Sequence, residues 1–121
     1  VEWAEEGTLQ EVPSLPPGDL WRALRGDNPP LVIDVREPRE YERAHVPEAR
    51  LIPLPQLIED ETLAWSRPIV LVCHSGRRST RAAAVLLKRD HNNVKVLAGG
   101  MQAWERANLL EAVKHDDAED E

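Results

Sequence analysis

The chain has 121 residues, 41% of them hydrophobic, and 15 Lys and Arg against 22 Asp and Glu, for a net charge of −7. That length supports one domain with its own core, and such an acidic balance argues against nucleic acid as a partner. One cysteine excludes an internal disulfide and a cysteine-rich metal site and points to a reducing, cytoplasmic setting, while no apolar run approaches the roughly 20 residues that span a bilayer and no secretory signal pattern is present.

The chain opens at Val1, without an initiator methionine, as a processed product or a domain cut from a longer protein would. Residues 1–7 have no clear period and read as an arm or linker. Thr8 to Val12 is expected as a short first strand. Pro16 or Pro17 is well placed to start a helix, in which Leu20, Trp21 and Leu24 recur at helical spacing. That helix should stop near Gly26, ahead of the Asn28-Pro29-Pro30 turn. Leu31-Val32-Ile33 is a β-branched run that reads as a buried strand ending at Asp34-Val35-Arg36. Glu37 to Arg43 is expected as a short helix with Pro38 in its first turn.

Leu51-Ile52 reads as another short strand closed by Pro53, and Pro55 to Ala64 as one or two helical turns. Ile69 to Val72 is an unbroken apolar run and reads as a buried strand. Arg77 to Asp90 has helix propensity and an apolar face made of Ala82, Ala83, Val85, Leu86 and Leu87. Val94 to Leu97 is a further strand. Gly99-Gly100 breaks the chain before a last helix, Met101 to Leu110, with Trp104 facing inward. His115 to Glu121 is nearly all acidic. The domain is therefore expected over residues 8–112, with a solvated tail over 113–121.

Four or five short strands that alternate with helices predict an α/β fold, with a parallel sheet covered on both faces. Ligands bind outside the carboxyl ends of the strands in such sheets. Cys73 lies at such an end.

The stretch Cys73-His74-Ser75-Gly76-Arg77-Arg78-Ser79 therefore carries the chemistry. A cysteine attacks as its thiolate, and three neighbours favour that anion. A helix N-terminus is expected near Arg77. Gly76 lets successive backbone N–H groups curl inward into an anion nest. Arg77 and Arg78, with His74 beside them, add positive charge. Ser79 has a hydroxyl for the sulfur or for the helix cap. A lone cysteine at a strand end is commonly an inert core residue, but two arginines are costly neighbours for one. Nucleophilic sulfur beside an anion nest fits attack on a sulfane sulfur, giving a persulfide, or on a phosphoryl group, giving a phosphocysteine.

Three blocks carry a family resemblance. They are Asp34-Val35-Arg36-Glu37-Pro38-Arg39-Glu40-Tyr41, running on through Ala44-His45-Val46-Pro47-Glu48-Ala49 to Ile52-Pro53-Leu54; Cys73 to Ser79; and Leu97-Ala98-Gly99-Gly100-Met101-Gln102-Ala103-Trp104. In order and spacing they resemble a single-domain rhodanese, a sulfurtransferase module. The resemblance implies a three-layer sandwich with a central parallel sheet of about five strands. It implies Cys73 as the nucleophile that accepts sulfur and no cofactor beyond the covalent cysteine persulfide. His74, Ser75, Gly76, Arg77, Arg78 and Ser79 would then bind the anionic donor. The implied partners are a small-molecule sulfur donor, a cyanide or thiol acceptor, and a sulfur-accepting protein.

Ala44 and Glu48 stand where the family often has glycine, which implies an altered turn. His74 stands where it often has arginine or another polar residue. Four residues separate Cys73 from Arg78. Phosphatases and arsenate reductases resembling this fold place five there, so the shorter loop favours sulfur over phosphorus. Turnover as a sulfurtransferase is thus the first reading, a sulfur-carrier or interaction module the second, and a cysteine-dependent phosphatase the third.

Asp34, Arg36 and Glu40 are expected as structural support, with Asp34 bonding backbone near the active loop and Arg36 paired with Glu40. His45 is expected as a hydrogen-bonded structural residue, because no second metal ligand stands at a usual spacing. Trp21, Trp65 and Trp104 are expected in the core. Trp3 is expected exposed in the arm, and Arg22, Arg25, Arg39 and Arg43 on solvated helix faces.

Overall fold

Five parallel strands form one sheet in this computed structural model, which describes residues 12–107. In chain order the elements are β1 (Ser14–Leu15), α1 (Pro17–Leu24), β2 (Leu31–Asp34), α2 (Pro38–Arg43), β3 (Arg50–Leu51), α3 (Leu54–Glu59), β4 (Ile69–Val72), α4 (Arg77–Lys88), β5 (Val94–Leu97) and α5 (Gly100–Arg106). Across the sheet the strands run β1-β5-β4-β2-β3. Asp34 lies level with Val72, and Leu71 with Val96, so the carboxyl ends of the three inner strands meet in one place.

Side chains alternate across a strand, and here both faces are covered. Leu31, Ile33, Ile69, Leu71, Val94 and Val96 face Leu54, Leu57, Ala82, Ala83 and Leu86 of α3 and α4. Val32, Val70, Val72 and Leu97 face Leu20, Met101 and Trp104 of α1 and α5. All four residues of β2 and all four of β4 are buried, which is why Leu31-Val32-Ile33 and Ile69–Val72 read as apolar runs.

The first strand lies at Ser14–Leu15, whereas Thr8 to Val12 was the expected place. Only Val12 of that stretch falls within the described residues. Prolines flank the strand because it is an edge strand and needs bonds on one side only. Val96 donates to the Pro13 carbonyl at 3.0 Å and Ala98 to the Leu15 carbonyl at 2.9 Å, so no proline N–H is called for. β3 sits one residue earlier than expected, and α3 is shorter, ending where Asp60 turns to accept from Thr62. α4 stops at Lys88, two residues short of the expected Asp90, which takes a left-handed φ of 68°. The arm over residues 1–7 and the tail over 113–121 lie outside the described residues, as do Trp3 and the expected end of the last helix at Leu110. Among the described residues no helix is long and apolar enough to cross a membrane.

Candidate active site

Cys73 follows β4 directly and sits at the centre of the carboxyl edge, with its side chain 1% exposed. The loop from His74 to Gly76 turns the chain into α4. Gly76 caps that helix with φ 109°, a left-handed conformation that costs glycine nothing and other residues much. The turn brings the Gly76 N–H to 3.0 Å from the Cys73 Sγ, and the first turn of the helix brings the Ser79 N–H to 3.2 Å. The Ser79 Oγ stands 3.5 Å from the same sulfur and donates to the Gly76 carbonyl at 3.1 Å. The Thr80 hydroxyl also donates to that carbonyl, at 2.7 Å. Backbone N–H groups aimed at the sulfur from a helix N-terminus stabilise negative charge on it.

The loop is held from behind by α5. Met101 N–H donates to the Cys73 carbonyl at 2.8 Å, and Gln102 N–H to the His74 carbonyl at 3.0 Å. A Cβ on Gly100 would stand 2.4 Å from the Cys73 carbonyl oxygen and 2.6 Å from the His74 carbonyl. Gly99-Gly100 is thus the expected strand-to-helix turn, and it is also the back wall of the site. Sequence reasoning missed that second role. A glycine pair opening a helix is the signal that another backbone comes close.

The expected pairing of Arg36 with Glu40 does not form. Arg36 lies on Asp34, Nε to Oδ1 at 2.9 Å and Nη2 to Oδ2 at 2.8 Å. Both ends are buried, and Nη2 also donates to the Ala44 carbonyl at 2.6 Å. Two residues apart on an extended segment, the two side chains share a side, so Asp34 is the nearer partner. The backbone N–H that Asp34 accepts is that of Arg36, at 3.0 Å, and does not belong to the active loop.

Glu40 takes Arg78 instead, in a two-pronged contact of 2.9 and 3.0 Å. It also accepts the Glu37 N–H, closing the capping box of α2. The hydrogen bond from Arg78 is the main reason its carboxyl falls to about 2, against an opposing push from partial burial. The same bond raises the Arg78 guanidinium. Arg78 is therefore tied across to α2. His74, Ser75 and Arg77 are exposed around the mouth of the loop.

The pattern of the Rhodanese-like domain matches residues 16–107, most of the chain. The chain belongs to the rhodanese-like family. A Bacillus subtilis (strain 168) relative, YqhL, is 40% identical over 74 residues, which is 60% of this chain and 59% of the relative. The chain thus spans less than two thirds of the length of that relative. An Allochromatium vinosum protein named sulfurtransferase is 34% identical over 80 residues, covering 65% of this chain and 75% of that one. The crystal structure of a rhodanese-related protein from Thermoplasma volcanium superposes with a TM-score of 0.69 at 27% identity, over 84% of this chain and 97% of that one.

Glu48 takes φ 66° in the turn closed by Ala49 N–H on the Val46 carbonyl, so the turn keeps a left-handed residue where the family often has glycine. His45 stacks on Tyr41 with ring centroids 3.8 Å apart, and its Nδ1 lies 2.9 Å from the Tyr41 carbonyl. Trp104 is fully buried, and Trp21 and Trp65 pack half-buried against the core. A cleft of about 480 Å³ opens beside the loop, between Ser75, Gly76 and Thr80 on one side and Ser14, Val96 and Ala98 on the other.

Proposed function

We propose that this rhodanese is a sulfurtransferase that carries sulfane sulfur on Cys73. The observation that carries the reading is the sulfur itself, set at the floor of a loop with the Gly76 and Ser79 N–H groups at 3.0 and 3.2 Å. The Cys73 thiolate attacks the outer sulfur of thiosulfate or of an organic persulfide. The donor S–S bond breaks, and its electron pair leaves with sulfite or thiolate. Cys73 is then a persulfide. A thiophilic acceptor, cyanide or a thiol, attacks the outer sulfur, and Cys73 leaves again as thiolate. No external oxidant or reductant enters either half.

The backbone donors serve both halves. They stabilise charge on Cys73 when it attacks and when it departs, which is where such dipoles lower a barrier. His74, Ser75 and Arg77, exposed at the mouth, meet the anionic donor. Arg78 acts by holding the first turn of α4 against α2. Its guanidinium already has two nitrogens on Glu40, which weighs against a loop that wraps a phosphoryl group.

Steady-state formation of thiocyanate from thiosulfate and cyanide tests the reading. Many turnovers per protein are expected, with none in Cys73→Ala. A single equivalent of thiocyanate per chain would make the domain a carrier, and phosphate release from aryl phosphates would replace the reading altogether.

A further inference from the structure

The net negative charge of this chain lies at its ends. Residues 12–107 hold 14 of the 15 Lys and Arg but 12 of the 22 Asp and Glu. The domain around the site is therefore slightly cationic, and its positive charge is unevenly spent. α4 contains no acidic residue. Arg78 is bound by Glu40, and Arg89, just past the helix, donates to the Leu57 and Ile58 carbonyls at the end of α3. Arg77, Arg81 and Lys88 are all exposed, and none of their side chains makes a hydrogen bond or ion pair among the described residues.

These three stand at i, i+4 and i+11. At about 100° per residue they fall within roughly 40° of one line down the helix, and at 1.5 Å per residue they extend about 16 Å. Ala84 falls on the same line and is half-buried, so the middle of the stripe is low and offers no side chain in the way. Cationic helix faces are commonly just solvated. This one begins in the turn whose N–H groups hold the reactive sulfur, and Arg77 belongs to both. Cys73 is almost wholly buried, so an acceptor thiol has to enter at the mouth beside Arg77.

We infer that the Arg77–Arg81–Lys88 stripe docks an acidic protein segment that presents the cysteine receiving sulfur from Cys73. This rests on the sulfur-transfer reading above. The partner thiolate attacks the outer sulfur of the Cys73 persulfide, a new S–S bond forms on the partner, the old one breaks, and Cys73 leaves as thiolate. Complementary charge acts mainly on the rate of encounter and is screened by salt.

The experiment uses the full chain, thiosulfate as donor, and three acceptor peptides with one cysteine each, flanked by four Glu, four Gln or four Lys. Persulfide on the peptide is followed by mass, and thiocyanate formation is followed in parallel. At low salt the Glu peptide is expected to exceed the Gln peptide in kcat/KM by about tenfold, and the gap should close at high salt. Flanking glutamates make the peptide thiol itself less ionised, so the bare chemistry runs the other way. In Arg81→Glu/Lys88→Glu the preference should pass to the Lys peptide while cyanide turnover stays unchanged. Equal rates for all three peptides, or an unaltered preference in the double variant, would overturn the inference. So would a preference that emerges only when the acidic residues of 116–121 are replaced by Asn and Gln, because the stripe would then serve the chain's own end. Loss of cyanide turnover in the unaltered protein would instead remove the sulfur-transfer reading beneath it.

Discussion

Two guanidinium–carboxylate pairs start from one stretch of this chain and have different tasks. Asp34 and Arg36 are two residues apart and both buried, with side-chain exposures of 0% and 6%. Their contact stays inside one segment and reaches the Ala44 carbonyl, which fixes the path from β2 past α2. Glu40 and Arg78 are 38 residues apart and each about one third exposed. Their contact joins α2 to the first turn of α4, where the sulfur is held. A buried pair has no water to fall back on, so it holds the fold. A half-exposed pair adds little stability and sets a position.

Arg36→Ala sharpens that contrast most. It strands the Asp34 carboxylate in the core, and a loss of about 3–5 kcal/mol is expected in urea unfolding. Gly100→Ala is next. Its Cβ would meet the Cys73 and His74 carbonyls at 2.4–2.6 Å, on a backbone with φ 61°. A cost of about 1–3 kcal/mol is expected, with thiocyanate turnover falling at least tenfold as the loop shifts. A variant with unchanged turnover would show that the back wall does not set the site.

Glu40→Gln is the mildest. The exposed pair contributes about 1 kcal/mol or less at neutral pH. The folded carboxyl lies near 2, below its ordinary 4.5. Its contribution is therefore fully present above about 4.5 and fades as pH falls towards 2. Unfolding curves of the two proteins should differ at pH 7 and converge near pH 2. A difference as large as that of Arg36→Ala would erase the distinction between the pairs.

Most of the fold was legible in the sequence because the inner strands are short, apolar and separated by helix signals. Ile69–Val72 and Val94–Leu97 stand where they were expected. The edge was not legible. β1 is two residues long and framed by prolines, and only its pairing with β5 makes it a strand. The place of Cys73 and the turn of its loop could be read from Cys73-x-x-Gly76 ahead of a helix. The ion pairs could not, since Asp34, Arg36 and Glu40 all compete within seven residues and the winner depends on Arg78 arriving from 38 residues away. The contact of Gly100 with the loop left only the glycine pair as its signal: it is a meeting of two backbones, and the sequence does not say which backbone comes close.

The contacts of the loop converge on one sulfur atom. The intact mass of the protein after thiosulfate treatment should rise by one sulfur, return to its starting value on addition of cyanide, and show no rise in Cys73→Ser. A mass that stays unchanged with thiosulfate and with organic persulfides, or a gain that persists in Cys73→Ser, would contradict the assignment of Cys73 as the sulfur carrier.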